Sequence, residues 1–238
     1  MSLAVKTAVE DSITFDLATA PLRELNAALQ SLDATSNQTV WTVLNPRGAH
    51  ALACGVTAPV SVTLDGHAGY YAAGMNDGAN VTINGNAATG VAENMMSGLV
   101  HVKGDASQSA GATAHGGLLI IDGNASARCG ISMKGIDIVV KGNVGHMSAF
   151  MAQTGNLVVC GTAGEALGDS LYEARLFVKG KVASLGADCE TKEMDAESLA
   201  ILTNLLTKAG CDDKPEDFTL YGSARTLYHF HVDNAGAY

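Results

Sequence analysis

The sequence predicts a fold dominated by β-structure, a parallel β-helix of about seven 19-residue coils with helical caps at both ends. Three observations carry this prediction. Glycines recur every 19 residues, aliphatic side chains recur four and two residues before each of them, and small apolar side chains recur two residues after them. A period near twenty is typical of a solenoid. The glycines are Gly66, Gly85, Gly104, Gly123, Gly142, Gly161 and Gly180.

The residues before each glycine predict one short strand per coil. In SVTLD, at 61–65, Val62 and Leu64 alternate with polar residues, which is typical of a strand with one buried face. Equivalent strands of successive coils would stack about 4.8 Å apart, so seven coils would make a rod about 30 Å long. We expect each ladder glycine to form a sharp corner, often with a positive φ, where other residues would be strained.

The N-terminal segment, residues 1–39, is predicted to be a strand and a helical cap. Ile13 to Leu17 alternates like a strand, and a helix with an apolar face follows, with Thr19 as a candidate N-cap and Pro21 in its first turn. We place the β-helix itself at residues 40–192. Its first coil is imperfect, because Arg47 stands where the repeat would place a glycine.

The C-terminal segment, residues 193–238, is predicted to be a helix followed by an aromatic-rich docking tail. The helix would begin at the N-cap Asp195, end near Gly210 and close the far end of the rod. The tail would either pack along the solenoid or bind another subunit. Its pair His229 and His231 could ligate a metal but is more typical of a packed or interfacial strand.

Composition excludes several classes of protein. The net charge of −10 and the pI near 5 argue against a nucleic-acid surface. The sequence contains no apolar run long enough for a membrane span and no signal-peptide profile, so we expect a cytoplasmic location. The five cysteines are odd in number and far apart, which favours neither a disulfide framework nor a thiolate zinc site. Cys160 occupies a repeat position that is polar or charged in the other coils.

A search for catalytic motifs names no catalytic, cofactor-binding or metal-binding residue. The chain lacks a P-loop, a G-x-S-x-G elbow and an H-E-x-x-H motif. Scattered carboxylates leave open a carbohydrate hydrolase or lyase, although the coils have few aromatic residues. Methionines in three coils would either fill the core or form a soft surface for a partner. The carboxylates are Asp65, Asp105, Asp122, Asp137, Glu165 and Asp169, and the methionines are Met75, Met95, Met96, Met147 and Met151.

The coils between about residues 40 and 190 resemble the G-x-G-x-G domain, a right-handed β-helix. That domain occurs at the C-terminal end of the glutamate synthase large subunit and in one of the subunits of formylmethanofuran dehydrogenase. The likeness is closer to the free-standing B subunits of N-methylglutamate synthases, also called methylamine-glutamate N-methyltransferases, because it includes both flanks. It is carried by FDLATAPLRELNAAL, LNPRG, DGHAGYYAAGMN, GISMKGIDIVV, GHMSAFMAQ, LGADC and YGSARTLYHFHVDNA.

This resemblance implies a noncatalytic scaffold subunit of a hetero-oligomer. The implied partners are an A subunit similar to class II glutamine amidotransferases and a C subunit similar to the FMN-binding domain of glutamate synthase. The complex would convert glutamate and methylamine into N-methylglutamate and ammonia. FMN, with an iron–sulfur cluster as a further candidate, would belong to the C subunit. The alternatives are a stand-alone carbohydrate enzyme and the corresponding subunit of a formyl-transfer complex.

Overall fold

The computed structural model describes residues 12–36 and 39–225, which form a β-solenoid of about seven turns with a single sheet of stacked strands. Two helices and a short 3₁₀ turn, Pro215–Asp217, complete the described part. The strands are β1 Ser12–Asp16, β2 Val40–Leu44, β3 Ser61–Asp65, β4 Asn80–Ile83, β5 Leu99–Val102, β6 Leu118–Ile121, β7 Lys134–Val140, β8 Thr154–Val159, β9 Arg175–Val178, β10 Cys189–Lys192 and β11 Thr219–Ser223; the helices are α1 Leu22–Gln30 and α2 Ala196–Ala209.

The stacking of equivalent residues is confirmed. Strands β1 to β9 pair in parallel, each with the next along the chain. From β3 onward residues 19 apart lie opposite each other, except that a register shift at the start of β7 places Lys134 opposite Thr154. The aliphatic residues four and two before each glycine are buried, as are Ala68 and its equivalents up to Ala163. These alanines and Val144 also form parallel bridges from coil to coil. The core is therefore one continuous apolar column inside the coils.

We expected the ladder glycines to recur because their corners often require a positive φ, and this explanation is wrong for six of the seven. Gly66 has a φ of +144°, but the φ values of the six later ladder glycines lie outside the left-handed region. What requires glycine is the closeness of the preceding coil: a Cβ on Gly142 would lie 2.6 Å from the carbonyl oxygen of Gly123 and 2.6 Å from Oδ1 of Asn124. Consecutive ladder glycines hydrogen-bond through their backbones, as in the 2.9 Å bond from the Gly142 N–H to the Gly123 carbonyl.

A ladder of side chains follows the glycines at the next residue of each coil. Asp105 Oδ1 accepts a 2.7 Å hydrogen bond from the backbone N–H of Asn124, and Asn124 Oδ1 accepts one of 2.9 Å from the N–H of Asn143. Asn143 Oδ1 in turn accepts a 2.7 Å bond from the N–H of Thr162. Each side chain thus satisfies the backbone of the coil after it.

Left-handed backbone occurs in another part of each coil, where many of the residues are not glycine. Tyr71, Ala73 and Met75 have φ values of 58°, 53° and 54°, and Met147, Ala149 and Met151 repeat this pattern four coils later. Their N–H groups donate to carbonyls of neighbouring coils, for example Met75 to Glu93 at 2.8 Å. This inter-coil bonding holds a conformation that is unfavourable for most side chains.

Helix α1 caps the N-terminal end of the core. Leu25 and Leu29 are fully buried in the main core cluster. The amide of Asn26 donates to the Ala51 carbonyl at 2.7 Å, and that of Gln30 donates to the Cys54 carbonyl at 2.9 Å. The helix thereby bonds backbone groups of the first coil. Thr19 is not its N-cap: Pro21 holds that position without a side-chain bond, and the Thr19 hydroxyl donates to the Asp16 carbonyl.

Helix α2 has the predicted caps but lies elsewhere than expected. Asp195 accepts a hydrogen bond from the Ser198 N–H, and Gly210 is left-handed with a φ of 63°. The buried face of the helix packs on the outer side of the sheet, where Ile120, Val139, Val158 and Phe177 form a second apolar cluster. The helix that we expected to close the far end therefore covers the flank of the last four parallel strands.

The sheet ends in a reversed strand, β11, and in β10, which again runs in the direction of the coil strands; the sequence did not reveal either of them. Strand β11 pairs antiparallel with β9, and β10 pairs antiparallel with β11. Phe218 is buried against α2, and Tyr221 packs on the main core. The first part of the predicted docking tail thus packs on the solenoid, whereas its later aromatic residues and the pair His229 and His231 lie outside the described residues.

Candidate functional site

A line of polar side chains runs along one margin of the sheet. Each member directly follows the last residue of a strand from β5 to β9, and the last residues of these strands lie opposite one another. The stacking therefore places residues 19 apart side by side. The line consists of Lys103, Asp122, Lys141, Cys160 and Lys179.

Asp122 is the centre of an ion cluster. One of its oxygens lies 2.8 Å from Nζ of Lys141 and 2.9 Å from Nε2 of His101, and the other lies 3.6 Å from Nζ of Lys103. Burial alone would raise the pKa of this carboxyl, but the hydrogen bonds from Lys141 and His101 outweigh it and lower the pKa. For Lys141, the bond to Asp122 similarly outweighs burial and raises the pKa of the ammonium group. The cluster therefore holds two ammonium groups and one histidine around a single carboxylate.

Two thiols and a carboxylate meet further along the same margin. Cys160 follows β8, whereas Cys211 and Asp213 follow the C-cap of α2. Their ligand atoms all lie within 4.8 Å of one another. Nζ of Lys179 is 2.6 Å from Oδ1 of Asp213. The position of α2 on the flank of the sheet brings these groups together, although they are about fifty residues apart in sequence.

Both thiols of this cluster have raised pKa values and are therefore held in the protonated form. Burial, followed by the neighbouring Cys211 and Asp213, raises the pKa of the Cys160 thiol. Burial also raises the pKa of Cys211. The ion pair with Lys179 lowers the pKa of Asp213. Without a bound cation, the cluster therefore holds one carboxylate and two neutral thiols at neutral pH, which is not the state of an activated nucleophile.

A second polar pair lies at the opposite margin, beside α2. Asn156 Nδ2 donates a 2.7 Å hydrogen bond to Asp137 Oδ1. Burial raises the pKa of Asp137, and the Asn156 bond and the charge of Lys208 only partly compensate. The buried Oδ1 of Asn156 has no hydrogen-bond partner among the described residues. Like the side-chain ladder at the glycine corner, this pair joins residues 19 apart, but one of its buried oxygen atoms lacks a hydrogen bond.

A polar groove of about 600 Å³ lies near the C-terminal end of the solenoid. Arg175, on β9, pairs with Glu197 of α2 at 2.8 Å, and Arg225 pairs with Asp188. Arg225, the last residue that the structure describes, belongs to its lining. Its lining includes Thr154, Tyr172, Arg175, Lys192, Tyr221 and Arg225.

An exposed aromatic and methionine patch occupies the first coils. Tyr70, Tyr71, Met75 and Met96 are each about half exposed, and the Tyr70 ring stacks on His50 with centroids 4.5 Å apart. Met95 is fully buried and fills the core, whereas Met75, Met96 and Met151 are exposed, so a role of these three in binding a partner stays a prediction. We call Tyr70, Tyr71, Met75 and Met96 the aromatic–methionine patch.

Three of the six carboxylates considered for a hydrolase or lyase have structural partners. Asp105 belongs to the side-chain ladder, Asp122 to the ion cluster and Asp137 to the pair with Asn156. The sequence motifs name no catalytic, cofactor-binding or metal-binding side chain. The meeting of Cys160 with Cys211 had no signal in the cysteine spacing. The ladder, in contrast, could have been found from the amide or carboxylate residues that follow successive glycines.

None of the helices in the described ranges could span a membrane, since none is long and apolar enough. No family model matches the chain. A curated relative does match it: the chain is 63% identical over 224 residues to Protein GlxC of Rhizobium meliloti (strain 1021), covering 94% of this chain and 98% of the relative. The chain therefore belongs to the GlxC family.

Proposed function

We propose that this chain is the noncatalytic scaffold subunit, of the B type, in an FMN-dependent N-methylglutamate synthase. It links an amidotransferase-like A subunit to a glutamate synthase-like C subunit, which together convert glutamate and methylamine into N-methylglutamate and ammonia. FMN belongs to the C subunit. The resemblance of both flanks and the coils to B subunits of these enzymes supports this proposal.

The structural observation that supports a scaffold most strongly is the unbroken parallel ladder from β1 to β9. Each coil is bonded to both neighbours along the strands, at the glycine corner and in the left-handed turns. Solenoids built this way keep a fixed spacing between their two ends. Such a body suits the task of holding two separate active sites apart.

The aromatic–methionine patch is the surface that we propose for contact with one partner subunit. Aromatic and methionine side chains are enriched at interface cores. Tyr71 and Met75 are held in left-handed turns that bond to the next coil, so these side chains project from a rigid backbone. Little ordering entropy would be lost when a partner binds.

Co-expression tests the proposal. The full chain, tagged and expressed with the A- and C-type subunits encoded by neighbouring genes, is expected to purify as a stable complex that contains flavin and forms N-methylglutamate. The C subunit with the A subunit, but without this chain, serves as the control and should assemble poorly. A monodisperse lone chain that ignores both partners, or full activity without it, would contradict the proposal.

The patch can be tested in the same complex. We expect the double variant Met75→Ser and Met96→Ser to weaken assembly by about tenfold or more, corresponding to about 1.4 kcal/mol. Both side chains are about half exposed, so the isolated chain should keep its thermal stability. Tyr172→Ser, which changes a similarly exposed residue at the polar groove, is the matched control. Equal assembly of all three proteins would exclude the patch as a contact.

A further inference from the structure

We propose that Cys160, Cys211 and Asp213 form a binding site for a thiophilic divalent cation of the zinc type. Two sulfur atoms and one carboxylate oxygen lie within 4.8 Å of one another. Zinc binds thiolate sulfur at about 2.3 Å and carboxylate oxygen at about 2.0 to 2.2 Å, in tetrahedral geometry. In that geometry two bound sulfur atoms are about 3.8 Å apart, so small side-chain rotations would close the site.

The ligand types select the cation. Thiolates favour zinc and similar soft ions, whereas magnesium and calcium require sites composed of oxygen atoms. The three groups are all half-buried, and three protein ligands leave one tetrahedral position for water. The neighbouring Asp122 pairs with Lys141 and His101 and is not part of this cluster.

The charges around the site balance when the cation is present. Two thiolates, one carboxylate and a divalent cation carry a net charge of −1. Lys179, which pairs with Asp213, supplies a compensating positive charge, and Lys141 lies near both thiols. Binding would release the two thiol protons, so affinity should rise with pH, as for other thiolate sites.

The cation would join two parts of the fold that are separated in the chain by β9, β10 and α2. Cys160 belongs to the end of β8, and Cys211 and Asp213 belong to the segment after α2. A cation held by both would fix the C-terminal end of this helix to the sheet margin. Because the unfolded chain offers no preformed site, binding should stabilise the folded protein.

Cobalt(II) and zinc(II) are the probes that test this site. The full-length, reduced and metal-free protein is titrated with cobalt, and we expect one equivalent per chain to bind with sulfur-to-cobalt charge-transfer absorption and the intense d–d bands of a tetrahedral site. Zinc should displace the cobalt. Excess zinc should also raise the temperature of thermal unfolding by about 5 °C or more.

Variants separate this site from the other thiols. Cys160→Ser and Cys211→Ser should each abolish the charge-transfer band and the zinc-induced rise in unfolding temperature, and Asp213→Asn should weaken binding by about 10- to 100-fold. Cys189→Ser, at the start of β10 and outside the cluster, is the matched control and should bind like the wild-type protein.

Either of two results would overturn the inference. One is a wild-type protein that shows no sulfur-to-cobalt band. The other is a band that survives in Cys160→Ser and Cys211→Ser, because the cation would then bind elsewhere. Asp213→Asn keeps both thiols, so it tests the site even if a cysteine variant does not fold.

Discussion

The glycine corner and the left-handed turns are two regions of the same coil that differ in how residue type relates to the sign of φ. At the corner the backbone of the later coils has ordinary dihedral angles, yet glycine recurs because the preceding coil lies too close for a Cβ. In the turns φ is positive, yet tyrosine, methionine, alanine and arginine occupy many of these positions. After the first coil, the glycines of this 19-residue ladder therefore report the close approach of the preceding coil and not a positive φ.

Replacing a corner glycine should have the largest effect. We expect Gly142→Ala to lower the free energy of unfolding by about 3 kcal/mol or more, because the new Cβ would lie 2.6 Å from two atoms of the stacked coil. In the matched variant Gly130→Ala, φ is +69° and the Cβ would lie 3.2 Å from Met133 Sδ. That variant should lose only about 1 kcal/mol. Urea unfolding measures both, and equal losses would contradict the comparison.

The side-chain ladder should contribute less than the glycine beneath it. Asn143→Ala removes the acceptor of the Thr162 N–H and a 3.1 Å bond to Asn124. We expect a loss of about 1 to 2 kcal/mol in urea unfolding. Asn143→Asp keeps the acceptor, as Asp105 does in its own coil, and should lose clearly less. An alanine variant as stable as wild type would mean that solvent replaces the ladder fully.

At the sheet margin that holds Asp137 and Asn156, supplying the missing hydrogen bond between the two side chains should stabilise the protein. In Asp137→Asn the new amide can donate to the unsatisfied Asn156 Oδ1, and no charge is desolvated. We expect a gain of about 0.5 to 1 kcal/mol at pH 7, reduced by the lost attraction to Lys208. Asp137→Ala, which leaves Asn156 without a partner, is the control and should not gain stability.

The gain from Asp137→Asn should also depend on pH. Burial raises the folded pKa of Asp137 above its unfolded value of 3.8. The folded state then binds the proton more tightly, so the wild type recovers stability as the pH falls through the folded pKa towards the unfolded one. The advantage of the variant should therefore shrink in acid. An advantage that stays constant between neutral pH and about pH 4 would contradict the assigned cause.

The smallest effect is expected in a left-handed turn. Arg128 is exposed with a φ of 59°, at the position that Gly90 holds two coils earlier. Arg128→Gly should relieve the backbone and change stability by about +0.5 kcal/mol, since glycine also gains entropy in the unfolded chain. Thermal unfolding measures the change. A loss larger than about 1 kcal/mol would show that the arginine side chain contributes a contact.

The sequence was sufficient for the coils because their periodicity is local and repeated. Val62, Leu64 and Ala68 and their equivalents mark the inward positions, and all the parallel strands from β2 onward follow from them. The first coil was also recognisable, although Arg47 replaces the glycine there.

The location of α2 and the cysteine cluster could not be derived in the same way. One signal was present: the outward position three residues before the glycine changes from Thr63, Thr82 and His101 to Ile120 and later apolar residues. Such a change indicates that something covers the later coils, but not what does so. The meeting of Cys160 and Cys211 depends on how that helix packs, which is a tertiary property without a spacing rule.

The edge strand β10 limits how molecules of this protein can associate. A rod of identical parallel coils could lengthen without end, each molecule adding its first strand to the last strand of another. Here the last strand of the described sheet, β10, runs antiparallel to its neighbour and carries Glu190 and Lys192, which pair with each other at 2.6 Å. Edge charges of this kind oppose strand addition. Addition of another molecule's first strand at β10 is therefore disfavoured.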